Sequence, residues 1–121
     1  MNKNGHGLIG FDRLRIPCII GVYPHEREVE QDLFVSFRAK VDFVACAEND
    51  SIQDAVCYDE ISKLCFSIAT EGKFSLLETF AVQTLKRVLE VYSASWAWIK
   101  IEKPGALPQA DRAVIELEME K

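Results

Sequence analysis

The stretch Leu33-Phe34-Val35-Ser36-Phe37-Arg38-Ala39-Lys40-Val41-Asp42-Phe43 carries the clearest period in the chain. Leu33, Val35, Phe37, Ala39, Val41 and Phe43 fall on one face, and Phe34, Ser36, Arg38, Lys40 and Asp42 on the other. Successive side chains of a strand point to opposite faces, so a period of two predicts a long half-buried strand. Upstream, Leu8 to Val22 holds short apolar runs broken by Pro17 and Gly21, which predicts a strand that bends or bulges. The polar segment Gly21-Val22-Tyr23-Pro24-His25-Glu26-Arg27-Glu28 connects the two, so they are expected to pair antiparallel.

Downstream the period becomes helical. Ile61, Leu64, Cys65 and Ile68 stand at i, i+3, i+4 and i+7, which predicts a helix over roughly Tyr58 to Thr70, ended by Gly72. A second helix is expected from Ser75, with Leu77, Ala81, Leu85, Val88 and Tyr92 on its inner face. Two strands follow, Trp96 to Lys103 and Ala113 to Glu120, the latter turning Ala113, Ile115, Leu117 and Met119 inward. The order is β-β-α-α-β-β, an α+β domain with a four-stranded antiparallel sheet and two helices on one face. A chain of 121 residues is long enough for one real core, placed at 8–121. The polar, glycine-containing segment 1–7 is expected to be flexible.

Composition removes several functions. A net charge of −5 argues against the basic surface that nucleic-acid binding needs. No apolar run reaches the 18 or so residues of a membrane span, and no signal-peptide pattern opens the sequence. Cys18, Cys46, Cys57 and Cys65 form no Cys-x-x-Cys pair and sit among apolar residues, as reduced core thiols of a cytoplasmic protein would. His6 and His25 are too few for a three-histidine zinc site, so no metal is expected, and His25 reads as a surface loop residue.

Lys103 stands out against this background. In Trp96-Ala97-Trp98-Ile99-Lys100-Ile101-Glu102-Lys103 it shares a face with Ala97, Ile99 and Ile101, so alternation sends it inward just before Pro104 ends the strand. Burial disfavours an ammonium ion, which suits a lysine to trading protons near neutral pH. The residues alone leave a second reading open, a packed stem whose head snorkels to water. Glu78 closes Ser75-Leu76-Leu77-Glu78, a capping-box pattern that would occupy its carboxylate at the helix start. Tyr58 reads either as a packed aromatic or as a stacking surface for a flat ring. Glu26 lies in a charged loop, where a solvated carboxylate is the ordinary case.

Taken in order, these pieces resemble a known family. Gly21-Val22-Tyr23 leading to Glu26-Arg27-Glu28 and Gln31, then Asp50, Tyr58, Leu76-Leu77-Glu78 and Lys103-Pro104-Gly105-Ala106, resemble the dihydroneopterin aldolases of folate biosynthesis. The resemblance covers about residues 8 to 120. It implies the tunnelling fold, a barrel-forming homo-oligomer of four-membered rings stacked into an octamer, and a lyase that uses no cofactor. It assigns Glu78 and the backbone of Leu77 to the pterin edge, Tyr58 from a neighbouring subunit to stacking and to a catalytic part beside the lysine, Glu26 to the reacting side chain, and Lys103 to proton transfer. The implied substrate is a small pterin, with neither nucleic acid nor membrane as partner. Alternatives left open are a 2′-epimerase of dihydroneopterin or its triphosphate, with Arg112 as a candidate phosphate contact, and a non-catalytic pterin-binding protein.

Overall fold

A computed structural model describes residues 5–121. Strand β1 (His6–Cys18) pairs antiparallel with β2 (Gln31–Asp42), β2 with β3 (Trp96–Pro104), and β3 with β4 (Arg112–Glu120), giving a sheet in the order β1-β2-β3-β4. Three helices complete the domain: α1 (Phe43–Asn49), α2 (Tyr58–Gly72) and α3 (Leu77–Val91). Helix α2 packs on β1, and α3 on β3, β4 and α2. The alternation of β2 is borne out: Leu33, Val35, Phe37 and Ala39 are fully buried, as are Ala97, Ile99 and Ile101 beside them on β3. Ile61, Cys65, Phe80, Leu85 and Val88 close the core from the helix side. Burying one large aliphatic or aromatic side chain contributes about 1.5–3 kcal/mol, so this face accounts for most of the drive to fold.

Several expectations shift. His6 and Gly7 already belong to β1, pairing with Asp42 and Val41, so the strand reaches into the segment expected to be flexible. Residues 1–4 of that segment lie outside the described residues. The irregularity of β1 falls at Asp12-Arg13, not at Pro17 or Gly21. Phe11 pairs with Phe37 and Leu14 with Val35, so two residues oppose Ser36 alone. Arg13 takes a left-handed φ of 57° there and donates its N–H to Ser36 Oγ at 3.1 Å, which satisfies the bulged backbone. Phe43 does not extend β2: Asp42 accepts a hydrogen bond from Val44 N at 2.9 Å and caps α1, an unexpected third helix.

The helix ends move too. Gly72 is the last residue of α2, and the left-handed position belongs to Lys73, with φ 45°. Helix α3 begins at Leu77 after Leu76 in extended backbone, and no side chain caps it. Ser75 therefore lies outside the helix, and the expected capping box does not form. Cys18 and Cys65 are core thiols, and burial pushes them up to about 11 and about 12 respectively. Cys46 and Cys57 are only half-buried and line a cavity instead of the core.

Candidate active site

The end of β1 and the start of α3 meet through a turn that only a glycine fits well. Gly21 has φ +129°, and a β-carbon there would collide with the Glu26 carboxylate. Its N–H donates to Phe74 O at 3.1 Å, which ties the turn to the segment ahead of α3. After it, Pro24–Arg27 makes one turn of 3-10 helix that presents Glu26. Glu26 Oε1 accepts the Tyr23 N–H at 3.2 Å, while Oε2 accepts Gln31 Nε2 at 3.3 Å and Lys103 Nζ at 2.6 Å. Gln31 is itself fixed by donating to Ile20 O at 2.9 Å.

Lys103 is inward, as alternation requires, with 8% of its surface exposed. The solitary buried ammonium is corrected in one respect, because a carboxylate nearly as buried faces it. A buried charge is costly without a partner, and each supplies the other's. The Lys103 hydrogen bond, with help from Tyr23 N–H and Gln31, holds the Glu26 carboxyl down at about 2. Glu26 is therefore an anion at neutral pH: an acceptor and an anchor, not a source of protons.

Beside this pair opens a pocket of about 450 Å³, lined by Tyr23, His25, Glu26 and Lys103 on one side and by Leu76, Leu77, Glu78 and Gly105 on others. Glu78 is exposed and makes no hydrogen bond or ion pair among the described residues. With the capping box absent, its two oxygens remain acceptors for a ligand. Leu77 is the first residue of α3, so its N–H lacks an intrahelical partner. One wall thus offers an acceptor-only carboxylate beside free backbone donors, and the other a tightly paired lysine. His25 is exposed, as expected of a loop residue, but it stacks on Tyr23 (6.0 Å between ring centres) and joins the pocket wall.

Tyr58 is not brought here. It is 60% exposed at the first residue of α2, beside a mostly apolar cavity of about 460 Å³ with Ile52, Val56 and Cys57. The opposite end of α2 leads through Lys73 and Phe74 to Ser75 and Leu76, which line the Lys103 pocket, and a helix of this length spans about 22 Å. Arg112 is also elsewhere. It pairs with Pro104 on the outer sheet face, donates to Glu102 Oε1 at 3.4 Å and lies over the Phe34 ring. Glu102 is buried there between Arg112 and Arg13, whose Nη1 reaches both its oxygens at 3.0–3.1 Å. Residues the sequence reading gave no task are Gly21, Gln31 and Arg27. All three stand in the quoted family pattern, but only the folded turn shows what they hold.

An α+β domain whose pocket sets a paired lysine and carboxylate beside an open carboxylate has the groups of a class that holds a ligand by its hydrogen-bond donors and can move protons beside it. Comparison with known proteins narrows this. The family model FolB, dihydroneopterin aldolase, matches residues 9–118, and the chain belongs to that family. It is 27% identical to the dihydroneopterin aldolase of Escherichia coli K12 over 111 residues, 92% of this chain and 91% of that protein. The crystal structure of the E. coli aldolase in complex with neopterin superposes with a TM-score of 0.89 at 26% identity, covering 93% of this chain and 98% of that one. A dihydroneopterin triphosphate 2′-epimerase of Pseudomonas aeruginosa is 28% identical over 86% of this chain and 85% of its own length. No helix among the described residues is long and apolar enough to cross a membrane.

Proposed function

We propose that the protein cleaves 7,8-dihydroneopterin by a retro-aldol reaction to 6-hydroxymethyl-7,8-dihydropterin and glycolaldehyde, without a cofactor. The observation that carries this is the 2.6 Å Glu26–Lys103 pair sharing one pocket with an unengaged Glu78. Glu78 accepts the 2-amino group and ring N–H of the pterin side by side, and the Leu77 backbone donates to the neighbouring carbonyl. The side chain of the substrate then extends toward Lys103. As the bond between C1′ and C2′ breaks, C2′ leaves as the aldehyde carbon and the electron pair passes through C1′=C6 to N5. The substrate's own imine is the electron sink, so Lys103 needs no Schiff base. It carries protons between the 2′-hydroxyl, ordered water and C1′, with Glu26 fixing its position.

Tyr58 of a neighbouring copy stacks on the ring, because this chain's own Tyr58 stands a helix length away. The sheet supports such an assembly: β1 and β4 are open edges, and edges invite pairing. Four copies closing a barrel, and two such rings stacking into an octamer, is the arrangement we propose. Phe34, Trp96 and Trp98, half-buried on the outer face, line its inner wall. The free thiols fit a reducing cytoplasm.

Epimerisation begins with the same cleavage and re-adds the aldehyde, so the family likeness to an epimerase keeps it as a second reading. Charge favours the unphosphorylated substrate. Glu26 and Glu78 line the pocket, Asp59 and Glu60 flank Tyr58, Lys63 is occupied by Asp59 at 3.1 Å, and Arg112 faces Glu102. The test is product analysis with dihydroneopterin and its triphosphate side by side. Released glycolaldehyde and a kcat/KM at least about tenfold higher for the free pterin are expected, since like charges disfavour the triphosphate. Epimer without aldehyde from either substrate overturns the reading.

A further inference from the structure

Arg27 lies on the surface, yet three of the N–H donors of its guanidinium are engaged by backbone carbonyls. Nη1 donates to the carbonyls of Gly21 at 3.1 Å and Phe74 at 3.0 Å, and Nη2 to that of Lys73 at 2.6 Å. Among the described residues it forms no ion pair. The carbonyls of Lys73 and Phe74 follow directly on the end of α2, where helix carbonyls lack partners and the dipole favours a cation. A planar fork can hold diverging carbonyls that a single ammonium meets less completely.

The segments it joins are the two halves of the pocket. Gly21 and Arg27 flank Glu26, which holds Lys103. Lys73 and Phe74 lead through two residues into Leu77 and Glu78. Besides the Arg27 bonds, Gly21 N–H to Phe74 O is the one hydrogen bond between these segments among the described residues. We propose that Arg27 sets the separation between the reacting half and the recognition half, as a positioning residue for the cleavage. This rests on the aldolase reading above. A substrate held by its ring at Glu78, with its side chain exchanging protons with Lys103, spans both halves. An error of an ångström between them is felt in the transition state far more than in binding to either half alone.

Guanine separates the two effects, because it carries the amino and ring N–H edge but no reacting side chain. In Arg27→Ala, kcat/KM for dihydroneopterin falls by about tenfold to a hundredfold, while the Kd for guanine changes by less than about threefold. Arg27→Lys, which keeps a cation able to bridge two of the three carbonyls, recovers part of that loss and remains about threefold to tenfold below the parent. If the alanine variant does not fold by circular dichroism, the lysine variant decides on the same two readouts. Parent kinetics in the deciding variant overturn the positioning role, and so does a parallel loss of guanine affinity. A parent chain that binds guanine but releases no glycolaldehyde overturns the aldolase reading, and the positioning role with it.

Discussion

The end of β3 and the start of α2 hold the two residues of greatest chemical interest in opposite ways. Lys103 is enclosed by its own chain: sheet on one side, the 21–28 turn on the other, and a carboxylate at 2.6 Å. Tyr58 is 60% exposed above an apolar cavity, with no hydrogen bond among the described residues. The first is enclosed within one copy, and the second is left open beside its cavity. In the assembly proposed above, the site has a rigid half, where protons are moved, and a borrowed half, which is assembled only when copies meet.

The sharpest way to break this division is to remove the rigid half. Lys103→Ala is expected to lower kcat by at least about a hundredfold, the usual scale for a positioned proton carrier, with pterin binding largely kept. Retention of full turnover in the purified variant would falsify its role. Tyr58→Ala comes next, with a loss of about tenfold to a hundredfold in kcat/KM, since stacking a base on an aromatic contributes about 1–3 kcal/mol. The informative experiment mixes the two variants. Co-refolded at equal amounts, Lys103→Ala and Tyr58→Ala chains form hybrid sites in which about a quarter carry both native residues. Activity returning toward that fraction is the expected result. A mixture no more active than its components means that Tyr58 is not supplied from a neighbouring subunit.

What the sequence could disclose follows the same division. The direction of Lys103 was legible because alternation in β3 is local and strict. Its partner was not, because Glu26 is 77 residues away in a 3-10 turn that has no period. Three strands and the two long helices were readable from period, and β1 from its short apolar runs. Helix α1 was not, because the alternation of β2 runs on through Asp42, where the chain turns from ladder to cap. Glu78 illustrates the opposite error. Ser75-x-x-Glu78 has the spacing of a capping box, but Lys73 and Phe74 are pinned to Gly21 and Arg27, and the helix starts two residues later. The pattern was real and its local meaning was overridden by tertiary contacts. Arg112 was placed beside the site by chain order, whereas pairing with Pro104 turns it to the other face.

A milder test perturbs how the rigid half is held. Gly21→Ala puts a side chain at φ +129°, against Glu26, and strain of this kind costs about 1–3 kcal/mol. Thermal unfolding should fall by several degrees, about 4–8 °C per kcal/mol in a small domain. A drop in kcat measured well below the transition should accompany it, because Glu26 must move to make room. An alanine variant with parent stability and parent kcat would mean that the turn is slack and that Glu26 is not held by it.

The smallest expected effect concerns pH. Glu26 is held at about 2, below its ordinary value of 4.5, because Lys103, Tyr23 N–H and Gln31 all favour the charged form. A carboxyl with a depressed value in the folded state binds fewer protons there than in the unfolded chain. Its contribution is therefore fully present above about 4.5 and is lost as the pH falls from there through about 2. Glu26→Gln has no such group, so the stability gap between parent and variant in urea unfolding should be constant from pH 7 to pH 5 and narrow below that. A gap that stays constant to pH 3 would mean that the carboxylate is not held by Lys103. The Lys103 half would then be no more preorganised than the exposed Tyr58.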